Sequence, residues 1–115
     1  MKVFIDSNVL ISAAGNPKGK PFLAFYKAVT FPNNGIICDQ NIDKIRRIFN
    51  LKFPHQISIL EQFLEETLPY LMVITTPANE LHEEEKSRDL ADRPIFRAAI
   101  FAGADILITG DKRFS

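Results

Sequence analysis

Short, largely apolar segments rich in β-forming residues alternate along this chain with longer segments whose apolar residues recur at helical spacing. The β-type segments cover residues 2–5, 36–38, 71–75 and 106–109. Strands separated by helices favour parallel pairing, because each return to the same edge of a sheet needs a long crossover. We therefore predict an α/β fold, a three-layer sandwich in which helices cover both faces of a mainly parallel, Rossmann-like sheet.

Helical periodicity predicts the remaining elements. Segments 8–14, 22–30, 39–50, 57–68 and 93–102 are predicted to be helices. Asp39 is expected to cap the start of the third helix, and Gly103 to close the last one. The 115 residues match the size of one domain and contain no repeat or linker, so residues 1–115 are predicted to form a single domain.

Composition excludes several classes of function. The 14 Lys and Arg residues balance the 14 Asp and Glu residues, so a nucleic-acid role needs a local site rather than a global positive field. One cysteine, Cys38, and two histidines exclude a disulfide within the chain and argue against a zinc centre, so any metal needs oxygen ligands. Asp6 interrupts the first apolar segment, which argues against a signal peptide or membrane span and predicts a cytoplasmic protein.

Three aspartates fall where predicted strands end or where a crossover helix begins. Asp6 follows the first strand, Asp111 follows the last strand, and Asp92 directly precedes the helix at 93–102. In a parallel sheet the carboxyl ends of the strands share one edge, and crossover helices begin at that same edge. We therefore predict that these aspartates meet at one edge of the sheet.

Clustered carboxylates repel one another unless a cation offsets their charge. Hard oxygen ligands favour Mg²⁺ or Mn²⁺, which can orient a phosphodiester and activate a water molecule. The pattern thus favours metal-assisted hydrolysis without a nucleophilic side chain. Each aspartate also has a simpler interpretation: Asp6 and Asp92 can cap the helices that follow them, and Asp111 can be a turn residue.

Three sequence segments resemble one known family. MKVFIDSNVLISA resembles the opening of PIN domains, and RDLADRPIFRAAIFAGADILITGDKRF resembles the last third of that family. Between them, IICDQNIDKIRRIFNLKF is similar to the family's second strand and the helix after it. The resemblance covers nearly the whole chain and points to the toxin branch, the VapC-like toxins of prokaryotic toxin–antitoxin pairs.

The resemblance implies a toxin endoribonuclease that cuts RNA with Mg²⁺ or Mn²⁺. It implies metal-binding and catalytic roles for Asp6, Asp92 and Asp111. It also implies hydrogen-bonding support of the site by Ser7, Asn8 and Thr109. An antitoxin partner and a homodimer are expected on the same basis. Without the resemblance, Asn8 can be interpreted as a local turn residue and Thr109 as a residue with strand propensity.

Two features depart from the family. PIN domains usually carry a Glu on the helix after the second strand, and Lys44 aligns with it here. Asp43 lies one residue earlier, about 100° away around the helix, so it can replace that Glu only with a shift in register. Asp43 and Asp39 are the candidate substitutes for that Glu. A Lys44 ammonium in the pocket would instead displace metal, which predicts a degenerate PIN domain acting as an interaction module. The family also continues past Thr-Gly-Asp-Lys to one more strand, which this sequence is expected to lack.

Besides an active and a degenerate PIN domain, we considered phosphotransfer domains, which also place an aspartate after the first strand. The haloacid-dehalogenase pattern needs a second aspartate two residues later, where this chain has Asn8. Receiver domains need an acidic pair before the first helix, and this chain has none there. The sequence therefore favours the PIN interpretation.

Overall fold

Four parallel strands form the centre of the fold. We analysed a computed structural model, which describes residues 1–16, 18–78 and 93–109. Its strands are β1 (Lys2–Ile5), β2 (Asn34–Cys38), β3 (Leu71–Ile74) and β4 (Ile106–Ile108). They lie in the order β3-β2-β1-β4, and every pairing is parallel. The predicted α/β fold with a parallel sheet is confirmed.

Within the described residues, five α-helices connect or follow the strands. They are α1 (Ser7–Gly15), α2 (Lys20–Val29), α3 (Asp39–Lys52), α4 (Ile57–Thr67) and α5 (Arg93–Phe101). The predicted fourth helix was expected to include Leu68, but Leu68–Tyr70 forms a 3₁₀ turn. Pro69 accounts for this change, since it has no backbone N–H to continue the α-helical ladder. No helix in the described part of the chain is long and apolar enough to cross a membrane.

Alternate side chains of β1 pack into two separate apolar layers. Val3 and Ile5 join a cluster with α1, α2, α3 and α4, whereas Phe4 joins a cluster with α5 on the other face. Phe4 and Ile5 are both 0% exposed. Burial on both faces explains why the strand is apolar at consecutive positions rather than at every second one. The prediction of helices on both faces is therefore confirmed.

The start of α3 differs from the sequence-based expectation. Cys38, not Asp39, is the N-cap, and the side chain of Asn41 accepts a hydrogen bond from the Cys38 backbone N–H. Asp39 is already the first helical residue. The prediction of an Asp39 cap was wrong because residue type favours Asp over Cys at a cap, whereas here the third helical residue supplies the reciprocal contact.

The end of α5 agrees with the sequence. Gly103 has a φ of 68°, and the backbone N–H groups of Gly103 and Ala104 donate to carbonyls of the last turn. A glycine adopts this left-handed conformation without a Cβ clash, so the helix stops and the chain turns into β4. Asp105 then fixes the start of β4, because its Oδ2 accepts the backbone N–H of Lys2 at 2.8 Å.

Candidate functional site

Polar residues collect where the parallel strands end. Asp6 follows β1, Asp39 follows β2 and Thr109 follows β4. The backbone N–H of Asp6 donates to the Ile108 carbonyl at 3.0 Å, which aligns the ends of β1 and β4. This carboxyl edge is the place where parallel α/β folds usually bind ligands.

The half-buried Asp6 carboxylate is held by a hydrogen bond to each of its oxygens. Its Oδ1 accepts the backbone N–H of Ser7 at 2.8 Å, and its Oδ2 accepts the Thr109 hydroxyl at 2.9 Å. Asp6 is also the N-cap of α1, so the capping interpretation holds beside the functional one. A carboxylate oxygen has two lone-pair directions, so it can accept a hydrogen bond and bind a cation at the same time. Its chemistry therefore fits Mg²⁺ or Mn²⁺.

The other two predicted carboxylates, Asp92 and Asp111, lie outside the described residues. Their neighbours within the described part are Arg93, the first residue of α5, and Thr109, which contacts Asp6. Within residues 1–16, 18–78 and 93–109, no three His, Cys, Asp or Glu side chains are grouped to hold a metal. The convergence of the three aspartates accordingly stays a prediction.

A buried polar network lies behind Asp6. Ser7 and Asn41 are each 0% exposed, and Asn41 donates from Nδ2 to the Ser7 hydroxyl at 2.8 Å. The Oδ1 of Asn41 accepts both the backbone N–H of Cys38 at 2.8 Å and its thiol at 3.2 Å. Burial raises the pKa of the Cys38 thiol, which therefore stays protonated and packs as a small side chain. Asn8, half-buried, follows Ser7 in the first turn of α1.

Asp39 connects the ends of β2 and β3. Its Oδ1 accepts the Thr76 hydroxyl at 2.6 Å, the Thr76 backbone N–H at 2.9 Å and the Gln40 backbone N–H at 3.0 Å. The Thr76 hydroxyl, with the backbone donors, holds the pKa of Asp39 below its ordinary value. Because this oxygen accepts three hydrogen bonds, Asp39 links the end of β2 to the residues that follow β3.

The remaining candidates lie further along α3. Asp43 is exposed. The hydrogen bond with Glu61 raises the pKa of Arg46, and the negative charges of Glu61 and Asp43 add to this effect. Lys44 is half-buried and directly precedes the buried Ile45. Lys44 also lies three residues after Asn41, so the two residues are neighbours on the helix surface.

The hydrogen bonds of Asp39 predict a pH-dependent contribution to stability. We expect Asp39→Ala to lower the free energy of unfolding by about 1 kcal/mol at pH 7, a typical value for hydrogen bonds at a partly exposed site. A carboxylate with a lowered folded-state pKa stabilises above its unfolded pKa of about 3.9 and loses that effect as pH falls through the folded value. Urea unfolding from pH 7 to pH 2 measures this. A difference between wild type and variant that stays constant over that range would contradict the assignment.

Three residues of this edge were missed by the sequence analysis. Thr76 contacts Asp39, and Arg97, only 8% exposed, donates from Nη1 to the Pro77 carbonyl at 2.6 Å. These contacts depend on the path of the chain after β3, which local pattern does not encode. Asn41 carried a readable signal, since an amide three residues after a strand end matches the spacing of a capping box.

Comparisons with known proteins agree with this fold. A family model for the PIN domain matches residues 2–113. VapBC2 from Rickettsia felis, solved bound to a DNA fragment from its promoter, aligns with a TM-score of 0.74 and 15% identity, over 99% of this chain and 91% of that one. VapC20 from Mycobacterium tuberculosis, described as a Sarcin-Ricin loop cleaving toxin, aligns with a TM-score of 0.67 and 11% identity, over 97% and 92% of the two chains. A search of curated protein sequences found no significant match.

The family match and the geometry concern the same elements. The matched range begins at the first residue of β1 and runs past β4, so it spans both strands that hold Asp6 and Thr109. This chain belongs to the PIN domain family.

Proposed function

We propose that this chain is a divalent-metal-dependent endoribonuclease of the VapC-like toxin type, acting in the cytoplasm. The main support for this proposal is the Asp6 carboxylate at the carboxyl edge of the sheet. Its two oxygens accept hydrogen bonds from Ser7 and Thr109. The PIN domain family and the fold similarity to VapC20, described as a Sarcin-Ricin loop cleaving toxin, support a toxin nuclease, and we propose RNA as its substrate. The test is cleavage of RNA by the purified protein with Mg²⁺ or Mn²⁺, which should stop on addition of EDTA.

The residues of this chain would orient the reactants. Asp6, together with Asp92 and Asp111, would supply the oxygen ligands. A bound Mg²⁺ or Mn²⁺ would supply an activated water and charge stabilisation at the phosphodiester. Thr109 and the Ser7 backbone would keep the Asp6 carboxylate in its binding orientation, because such supporting hydrogen bonds limit its rotation. Since the net charge of the chain is zero, the affinity for RNA would come from this site rather than from a broad basic surface.

The Thr109 hydroxyl gives a specific prediction for metal affinity. Thr109→Val keeps the shape of the side chain but removes the donor to Asp6 Oδ2, so Mn²⁺ affinity should fall by about 10-fold or more. Isothermal titration with Mn²⁺ measures the change. Thr67→Val is the matched control, because the Thr67 hydroxyl donates to the Phe63 carbonyl within α4. Equal Mn²⁺ affinities in the two variants would contradict the supporting role of Thr109.

Lys44 supports a second candidate function, a degenerate PIN domain that binds partners without cutting RNA. It is half-buried one turn after Asn41, at the helix position where the resembled family carries a Glu. In that case Lys44→Glu should raise Mn²⁺ affinity by about 10-fold or more, since the positively charged lysine near the metal ligands is replaced by a carboxylate. Lys44→Met is the control that removes the charge without adding a ligand. Unchanged affinity in Lys44→Glu would count against a metal-displacing lysine.

An antitoxin is the proposed protein partner. VapBC2 from Rickettsia felis aligns with nearly all of this chain, and the family resemblance places VapC-like toxins in toxin–antitoxin pairs. A small gene directly upstream should encode the partner, and co-expression should relieve growth inhibition by this chain and give a co-purifying complex.

We also propose a homodimer, because large apolar side chains such as Ile100 and Phe101 are exposed at the end of α5. Light scattering of the purified chain tests the dimer.

A further inference from the structure

Asn41 occupies a position where an apolar side chain would be expected. With Ile45 and Phe49, which follow at four-residue steps, it forms the buried stripe of α3. Asn41 is 0% exposed, as buried as its two apolar neighbours on the stripe. Burying an amide costs free energy unless each of its polar atoms is satisfied, so packing alone does not account for an asparagine here.

The side chain of Asn41 uses both of its polar atoms. Its Oδ1 accepts two hydrogen bonds from Cys38, at the end of β2. Its Nδ2 donates to the Ser7 hydroxyl at 2.8 Å and, with a longer contact of 3.5 Å, to the Ile5 carbonyl. An amide oxygen accepts two hydrogen bonds and an amide nitrogen donates two, so the capacity of this side chain is fully used.

The contacts of Asn41 involve the residues on either side of Asp6 in the sequence. Ile5 and Ser7 are the residues directly before and after Asp6, and Asn41 contacts both of them. The Ser7 backbone N–H in turn donates to Asp6 Oδ1. One buried amide thus fixes the backbone around Asp6 and the direction of the donor that orients its carboxylate.

We propose that Asn41 is a positioning residue that sets the orientation of the Asp6 carboxylate for a divalent cation, an inference that rests on the proposed function. It acts through Ser7 and does not itself contact the metal. Because Asn41 also holds Cys38, the ends of β1 and β2 are held in one rigid unit, and rigid ligands bind metal more tightly than mobile ones.

The first arm of the test measures metal affinity. Asn41→Leu keeps the volume of the side chain and removes every hydrogen bond, so Mn²⁺ affinity should fall by about 10- to 100-fold. Leu64→Ala, a buried substitution on α4, is the control for lost stability and should bind Mn²⁺ as wild type does. Each titration is made at a temperature where circular dichroism shows the variant folded.

Ser7→Ala separates positioning from general packing. It should also weaken Mn²⁺ binding, and the double variant with Asn41→Leu should bind no more weakly than Asn41→Leu alone, because both changes remove the same hydrogen bond. If Asn41→Leu does not fold, Ser7→Ala still decides the result. Wild-type Mn²⁺ affinity in the folded variants would overturn the proposal.

The second arm needs no metal. In the metal-free protein, hydrogen exchange at the amide of residue 7 should accelerate by about 10-fold in Asn41→Leu, as expected when a local hydrogen bond is lost, while amides of α4 keep their protection. Wild-type protection at that amide would overturn the positioning role. If the wild-type protein binds no Mn²⁺, the proposed function fails, and the exchange result still decides whether Asn41 orients the segment around Asp6.

Discussion

Asp6→Asn should reduce Mg²⁺- or Mn²⁺-dependent RNA cleavage by at least about 100-fold, because the charge stabilisation supplied by a bound metal is worth several kcal/mol. The substitution removes the negative charge that would attract the proposed cation. It keeps the fold, because asparagine is also a favourable N-cap and can still accept a hydrogen bond from Ser7 or Thr109. Single-turnover cleavage of a labelled RNA at saturating Mn²⁺ measures the loss.

Asp105→Asn is the matched control for this experiment. Asp105 lies before β4, at the opposite edge of the sheet, where its Oδ2 accepts the Lys2 backbone N–H. The same change of charge there should leave the cleavage rate within about twofold of wild type, as expected for a surface substitution away from the site. Cleavage that survives Asp6→Asn at the wild-type rate would exclude Asp6 as a metal ligand.

Phe4→Ala should lower the free energy of unfolding by about 3–5 kcal/mol, the usual cost of deleting a buried aromatic side chain. Phe4 is 0% exposed in the middle of β1 and packs in the cluster with α5. Since a domain of this size is stable by only about 5–15 kcal/mol, the variant should be close to unfolding. Urea denaturation followed by circular dichroism measures the difference.

Phe31→Ala tests whether burial, and not residue type, determines that cost. Phe31 is 92% exposed between α2 and β2, so its loss should change the free energy of unfolding by less than about 1 kcal/mol. Similar losses in the two variants would contradict the placement of Phe4 in the core beside the strand that presents Asp6.

The elements of this fold were largely readable from local sequence. Consecutive apolar residues in β1 required burial on both faces, and the structure places Val3 and Phe4 in opposite layers. Gly103 ended α5 as its residue type predicts. The position of Asp6 at the end of β1 followed from where the first apolar segment stops. These features depend on residues close together in the chain, which is why periodicity and turn chemistry were sufficient.

Contacts between segments that are distant in the chain could not be predicted from the amino-acid sequence. Asp39 was expected to cap α3, yet its carboxylate holds Thr76, which lies 37 residues further along the chain. The Thr109 contact with Asp6 spans 103 residues and was expected only through the family resemblance. The contact of the buried Asn41 amide with Ser7 could not be predicted for the same reason, because Ser7 lies on another element, whereas the contact of Asn41 with Cys38 has the spacing of a capping box. Side-chain pairing across the sheet edge is a property of the tertiary structure.

Anomalous diffraction from crystals soaked in Mn²⁺ shows directly whether Asp6 binds a divalent cation. A manganese peak is expected within coordination distance of an Asp6 oxygen, about 2–2.5 Å for a hard divalent cation. The Thr109 and Ser7 hydrogen bonds to Asp6 should remain, and Asp92 and Asp111 should complete the ligand set. An anomalous map with no peak at Asp6, or a Lys44 ammonium bound to that carboxylate in place of the metal, would contradict this expectation.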